Sequence, residues 1–363
     1  MSTHTLLASG YGGVIQTLSL DLSSTPSLSI TSSVSAGNAP TWLTLSPDKS
    51  IVYTGDEFAE PAGTITAFSL SSTGEASPLG TVPCGAGPVH FVLSPGGKTL
   101  YSANYGGGSL SAVKVGNDGK LVEGGGEQFD FTGTGPNKDR QEAPHIHGVY
   151  LDPTGNYLLA TDLGTDELKA YRIGQDDKLE ALPSLKVAPG AGPRHLAFSQ
   201  HSGKTLIYMV EELASEVDIF ELVYPSSPSD GLALKPLQLN ISVLPPHHAD
   251  YPAPWDAAEV GLSKDGKWLY VSNRAPLDPH PESDTLIIFQ LDGEGKVDKS
   301  QIPTYFALGG RGPRAFAFHE AGRYLAVSLQ RTNEVVVFEV EGKDVKEVAR
   351  VKDVKEPTAI VWV

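Results

Sequence analysis

The sequence predicts an all-β fold, a seven-bladed β-propeller whose ring is closed by pairing the C-terminal strand with the N-terminal strands. Three observations carry the prediction. Glycine and proline number 39 and 27 and are spread evenly, while long helical periodicity is scarce, which favours many short strands joined by turns. A turn-and-strand pattern recurs six times in full. The two ends of the chain carry complementary parts of one further copy. A ring of such units leaves no long exposed sheet edge, and splitting one unit between the termini locks the ring. The whole chain, 1–363, is expected to form one propeller domain.

In chain order, the first copy runs from Pro40 through Ile51–Glu57 to Gly63–Leu70, and the second from Pro88 through Leu100–Tyr105 to Ser109–Val115. The third is the clearest. Val149–Leu151, Tyr157–Thr161 and Leu168–Ile173 read as strands, with Asp152-Pro-Thr-Gly155 as the hairpin turn between the first two. The fourth spans Pro193–Ser199, Leu206–Glu212 and Val217–Leu222. The fifth spans Ala258–Gly266, Leu269–Arg274 and Thr285–Leu291, and the sixth Pro313–His319, Tyr324–Gln330 and Glu334–Val340. Pro357–Val363 reads as a first strand with no successor, and Thr5–Tyr11 with Val14–Leu20 as second and third strands with no predecessor. Residues 116–144, 224–256 and 275–284 exceed the repeat and are expected to be long loops, either lids over a site or surface decoration.

Bulk properties exclude several function classes. A formal net charge of −16 argues against nucleic-acid backbones and anionic membrane surfaces as partners. Cys84 is the lone cysteine, so no internal disulfide can form. The N-terminus lacks a basic region followed by an apolar core, and no apolar run approaches the ~18 residues of a membrane span. A cytoplasmic location is expected. Gly97-Lys-Thr and Gly203-Lys-Thr lack the upstream glycine of a phosphate loop, and no Gly-x-Ser-x-Gly elbow is present. His247, His248 and Asp250 could ligate a metal, but a polar loop cluster without a partner set reads first as solvated. No cofactor and no metal are expected.

The first strand of each propeller blade lines the central channel, and the start of strand one shares a rim with the end of strand two. Superposed copies place Thr41, Val89, His147, Arg194, Ala258, Arg314 and Thr358 at the start of strand one. The following positions hold Trp42, His90, Gly148, His195, Glu259, Ala315 and Ala359. The aligned ends of strand two include Glu57, Tyr105, Glu211-Glu212, Asn273-Arg274, Gln330 and Tyr11. Charges converging on a channel mouth are costly unless they pair or bind something. Arginines focused there, in an acidic chain, point to an anionic small molecule. Interblade salt bridging is the bland alternative. Two other readings remain: a metal site built from Asn104, Asp162, Glu211 and Asn273, and a non-catalytic platform.

His145-Ile-His-Gly-Val, Gly192-Pro-Arg-His, Val210-Glu-Glu-Leu and Val271-Ser-Asn-Arg274 give the chain a specific likeness. It resembles the lactonase family of seven-bladed β-propellers, which includes propeller-type 6-phosphogluconolactonases and a fungal 3-carboxy-cis,cis-muconate lactonizing enzyme. The resemblance implies a catalytic set at His147, Arg194, Glu212 and Arg274. The arginines would bind a carboxylate or phosphate, Glu212 would act as base, and His147 as acid or orienter. Glu57, Tyr105, His145, His195, Arg314 and Gln330 are the expected further substrate contacts. The implied activity is hydrolysis of an anionic, sugar-type lactone, with cyclisation of a carboxymuconate-type acid as the alternative.

Overall fold

The computed structural model describes residues 3–227, 230–251, 254–277 and 280–363. Seven antiparallel sheets form the blades. Blade one comprises Thr44–Leu45, Ile51–Asp56, Thr64–Leu70 and Ala76–Pro83; blade two comprises Pro88–Leu93, Thr99–Asn104, Ser109–Lys114 and Glu127–Asp130. Blade three comprises Ile146–Leu151, Tyr157–Asp162 and Glu167–Ile173, with its outer edge split between Leu179–Ala181 and Leu185–Lys186. Blade four holds Pro193–His201, Lys204–Glu211, Glu216–Val223 and Ala233–Ser242, and blade five Asp256–Leu262, Trp268–Arg274, Thr285–Gln290 and Thr304–Ala307. Blade six holds Pro313–Phe318, Tyr324–Leu329, Glu334–Glu341 and Asp344–Lys352. Blade seven takes its inner strand, Pro357–Trp362, from the C-terminus and Thr3–Gly10, Val14–Asp21 and Ser27–Ser35 from the N-terminus. The expected closure is what the structure shows.

Alternation along the strands buries one set of side chains against each neighbouring blade, so apolar clusters fill the seams rather than one central core. Leu6, Ala8, Ile360 and Trp362 pack on Ala326, Val335 and Val337 of blade six, while Leu7, Ile15 and Ala359 pack on Leu43, Val52 and Phe68 of blade one. Polar latches register the seams. Tyr53, Tyr101, Tyr208 and Tyr270, all on second strands, donate to the carbonyls of Gly119, Asp177, Gly295 and Gly342 in turns of the next blade. The Asp152 turn closes as its composition demands. The carboxylate accepts from the Thr154, Asn156 and Tyr157 amides, and Gly155 takes φ +72.

The outer strands are the element that the repeat pattern did not reveal. Ser27–Ser35 and Ala76–Pro83 leave most of their residues partly or wholly exposed, so their sequences are polar and carry little apolar alternation. Two of the expected long loops each contain an outer strand: Glu127–Asp130 falls within 116–144, and Ala233–Ser242 within 224–256. Within the expected loops 224–256 and 275–284, positions 228–229, 252–253 and 278–279 lie outside the described residues.

One irregularity positions the site. The pairing register of the innermost strand slips at Pro88/His90, Ile146/Gly148, Pro193/His195, Ala257/Val260, Pro313/Ala315 and, on the split blade, opposite Ser9/Gly10. Each slip is a β-bulge that inserts one residue and re-aims its side chain. The bulged residues include Val89, His147, Arg194, Arg314 and Thr358, members of the first rim ring that the sequence aligns. Ring closure should therefore carry stability. Trp362, buried and donating from its indole nitrogen to the Ala317 carbonyl, is the test. Trp362→Ala should cost about 3–5 kcal/mol, read as a lower urea midpoint, and a cost under about 1 kcal/mol would contradict the role of this seam.

Candidate active site

Glu212 follows the second strand of blade four and is 4 % exposed, so its charge needs partners. It has three. Arg140 Nη2 lies 2.6 Å from Oε1, while Arg194 Nε and Arg274 Nη2 lie 2.8 and 3.2 Å from Oε2. Burial raises the carboxyl's pKa, but Arg274, Arg194 and Arg140 together outweigh it and hold it below the usual carboxylate range. Each arginine is itself anchored. Arg194 Nη1 donates to the Ala258 carbonyl at 2.7 Å, and Arg274 donates to the carbonyls of Asp256 and Ala257. Arg140 also lies 3.5 Å from Asp256.

Arg140 is the member that sequence reasoning missed. It comes from the connection before blade three, outside any repeat, so no alignment of copies could place it. Its neighbour Gln141 fixes it. That side chain is wholly buried, donates to the Leu163 carbonyl and Asp166, and accepts from the Asn137 amide. A glutamine held this way in a polar, Gly-rich stretch has no sequence signature.

His147, 5 % exposed, directs Nε2 toward Glu212 Oε2 at 3.9 Å, and its Nδ1 is buried without a hydrogen-bond partner. Burial, then the charges of Arg194, His195 and Arg314, push its pKa well below the ordinary histidine value, so the imidazole is neutral. The ring meets Tyr105 edge-on at 5.5 Å and His195 at 5.2 Å. The structure thus brings His147, Arg194, Glu212 and Arg274 together.

The further candidates divide. His145 stacks on Tyr105 at 4.4 Å, with Nδ1 3.0 Å from the Tyr105 carbonyl and Nε2 3.0 Å from Glu142, so both ring nitrogens serve the loop. His195 lies deeper, with Nδ1 2.9 Å from Glu259 Oε1 and the Arg194 guanidinium against its ring. Arg314 covers the Tyr11 ring at 5.3 Å, and Tyr11 stacks on the exposed Phe58 at 5.3 Å and 7°. Glu57 presents a buried Oε2 with no partner on the same side of the rim. Gln330 opens the short turn after the second strand of blade six, and its side chain makes no hydrogen bond among the described residues.

Rings from neighbouring inner strands meet in the channel: Trp42 on His90 at 4.2 Å, His90 on Tyr150 at 4.7 Å, and His90 on His195 at 5.3 Å. The candidate metal set does not converge. Asn104 bonds Ser109 and Ser111, Asp162 takes Lys169 and backbone amides, and Asn273 donates to the Val243 carbonyl. Glu211 instead faces Glu216 and Asp218, with one carboxylate oxygen of each within 4.8 Å of the others. His248 is turned onto the Pro245 carbonyl and His247 packs beside Trp255, away from Asp250's expected company.

With this geometry established, comparison with known proteins is specific. The family model for the lactonase, 7-bladed β-propeller, matches residues 3–362. A 6-phosphogluconolactonase of Formosa agariphila is 32% identical over 312 residues, covering 82% of this chain and 80% of that one. That of Bacillus subtilis is 29% identical over 303 residues, covering 83% of this chain and 80% of the relative. The periplasmic gluconolactonase of Pseudomonas aeruginosa superposes with a TM-score of 0.80 at 26% identity, covering 100% of this chain and 99% of that chain. The fold and the match over nearly its whole length place the chain in one class, and it belongs to the lactonase family of seven-bladed β-propellers, whose relatives named above are lactone-hydrolysing enzymes by name. Among the described residues no helix is long and apolar enough to cross a membrane.

The buried carboxyls predict a pH dependence of stability. Burial, then Asp218 and Glu216, push Glu211 up to about 9, and burial pushes Glu259 up to about 8 against the pull of Arg194. Below about pH 6.5 the unfolded chain takes up protons on His90, His147 and His195, which burial keeps neutral in the fold. The raised Glu211 and Glu259 therefore make the folded state the richer in protons only above about pH 7, and stability falls as pH rises from there through about pH 9. Glu212 works in the opposite sense, below that window. The melting temperature should decline from about pH 7 to about pH 9, with a shallower decline in Glu211→Gln; identical slopes in the two proteins would refute the assignment.

Proposed function

We propose that the protein hydrolyses a sugar-type lactone carrying a negative charge, as its relatives' names describe for 6-phosphogluconolactone, and that His147 moves the proton. The observation that carries this reading is a neutral, buried imidazole with one partnerless nitrogen, set beside an ionised carboxylate and two anchored arginines. Glu212 has both oxygens occupied by guanidinium groups and a reduced proton affinity, so the geometry favours it as an organiser over the base suggested by resemblance.

In this reading His147 takes a proton from water as the water oxygen attacks the lactone carbonyl carbon. Arg194 Nη2 and Arg274 Nη1, which make no hydrogen bond among the described residues, face the charge growing on the carbonyl oxygen. Collapse of the tetrahedral intermediate breaks the ring C–O bond, and imidazolium returns the proton to the leaving alkoxide, giving the hydroxy acid. Glu212, 3.9 Å from Nε2, stabilises the imidazolium while it exists. An anionic substrate offsets the cations that depress the histidine, which raises its basicity when it is needed. The names of the relatives favour ring opening over cyclisation.

A lactone panel followed by acid release tests the reading. 6-Phosphogluconolactone or glucono-lactone should be opened above the spontaneous rate at neutral pH, and His147→Ala should lower kcat by ~100-fold or more. Turnover of neither lactone, or an undiminished kcat in His147→Ala, would contradict it. Glu212→Gln should also lose activity, and with it about 3–5 kcal/mol of stability from three uncompensated guanidinium groups.

A further inference from the structure

Among the described residues every arginine forms an ion pair except Arg311, Arg314 and Arg331, and these three belong to one place. Arg311 sits in the loop entering blade six, Arg314 is that blade's bulged residue, and Arg331 is in the turn after its second strand. The backbone knits them: the Arg331 amide donates to the Arg311 carbonyl at 3.0 Å, and the Arg311 amide to Thr332 Oγ1 at 3.3 Å. Gly312 between them takes φ +75, and a Cβ there would meet Arg331 N and Cγ at 2.9 Å, so the turn requires glycine.

Among the described residues no carboxylate lies within ion-pair distance of these three guanidinium groups; Glu57 and Glu212 act on Arg314, and Asp284 and Asp256 on Arg331, only at longer range. Asp284, wholly buried, is built into the turn, and its oxygens accept from the Ala275 amide at 3.0 Å and the Gly312 amide at 2.7 Å. Arg311 Nη1 is buried with no partner. Arg331 Nη1 donates to the carbonyl of Ala275, the residue after Arg274, so the cluster abuts the arginine that touches Glu212. Burial, with Arg274 and Arg311 nearby, depresses the Arg331 pKa despite Asp284 and Asp256. All three side chains remain partly accessible from the rim. Unpaired guanidinium groups in a chain of net charge −16 mark a site for an anion from outside.

We propose that Arg311 and Arg331, with Arg314 at their channel side, form a phosphate subsite that holds the phosphomonoester end of the substrate while its carbonyl lies at His147. This rests on the lactonase reading and narrows it to a phosphorylated sugar lactone. Forked donors suit a dianion with three acceptor oxygens better than they suit a neutral hydroxymethyl group.

Calorimetry on the full chain separates this proposal from that reading, because it uses binding of the product acids and needs no turnover. 6-Phosphogluconate should bind at least ~10-fold more tightly than gluconate. Arg311→Gln, whose wild-type side chain bonds nothing, and Arg331→Gln should each erase most of that difference, with gluconate affinity unchanged within ~2-fold and Arg331→Lys keeping part of it. Equal affinity for the two acids in the wild type would overturn the subsite, as would equal weakening of both acids in the variants, which would mark a scaffold role. Turnover without phosphate discrimination would sink the subsite alone. Discrimination without turnover would sink the lactonase reading alone.

Discussion

The Glu212 carboxylate is the contact on which the rest of the rim depends. It lies between guanidinium groups delivered by three separate stretches: the bulged inner strand of blade four, the second strand of blade five, and the connection before blade three. Three arginines this close would repel one another in a low-dielectric channel mouth, and one buried carboxylate is what lets them share it. The carboxylate in turn stays ionised because of them. Each half of the arrangement exists only with the other, so the blades must be docked before the site can form.

The propeller makes such convergence inexpensive. Every inner strand reaches the same rim, and a bulge at that level turns a side chain inward without disturbing the seams behind it. The rim then divides by chemistry. Blades three to five hold the imidazole, the carboxylate and its arginines; the rim of blade six holds Arg311, Arg314 and Arg331, which form no ion pair among the described residues; Tyr11, Phe58 and the partnerless Glu57 oxygen occupy the remaining side. Tilted rings from Trp42 through His90 to Tyr150 pack in the channel, and His147 is itself buried.

Inner and middle strands were legible in the sequence because their apolar alternation and Asp-Pro-Thr-Gly-type turns follow from burial on both faces. The ring of residues at the start of strand one was legible too, since superposed repeats preserve the bulge register without revealing the bulge. Outer strands were not, because exposed Ser, Thr and Pro positions carry no alternation. Arg140 was missed for a different reason: it reaches the site from outside the repeat, steadied by a glutamine whose bonds only the fold creates. Glu212 does lie beside His147, Arg194 and Arg274, while the number of cations around it could not be read from the repeat. His145, adjacent by spacing to His147, proved to be tied into its loop by both nitrogens.

The central claim is that Glu212 organises the cations while His147 exchanges the proton. The pH profile of kcat/KM for lactone opening by Glu212→Gln tests it most directly. With the carboxylate gone, the surrounding guanidinium groups depress His147 further, so the loss of activity on the acid side should persist and move to lower pH. Disappearance of that acid limb in Glu212→Gln would show that Glu212 itself is the titrating base, and would contradict the account.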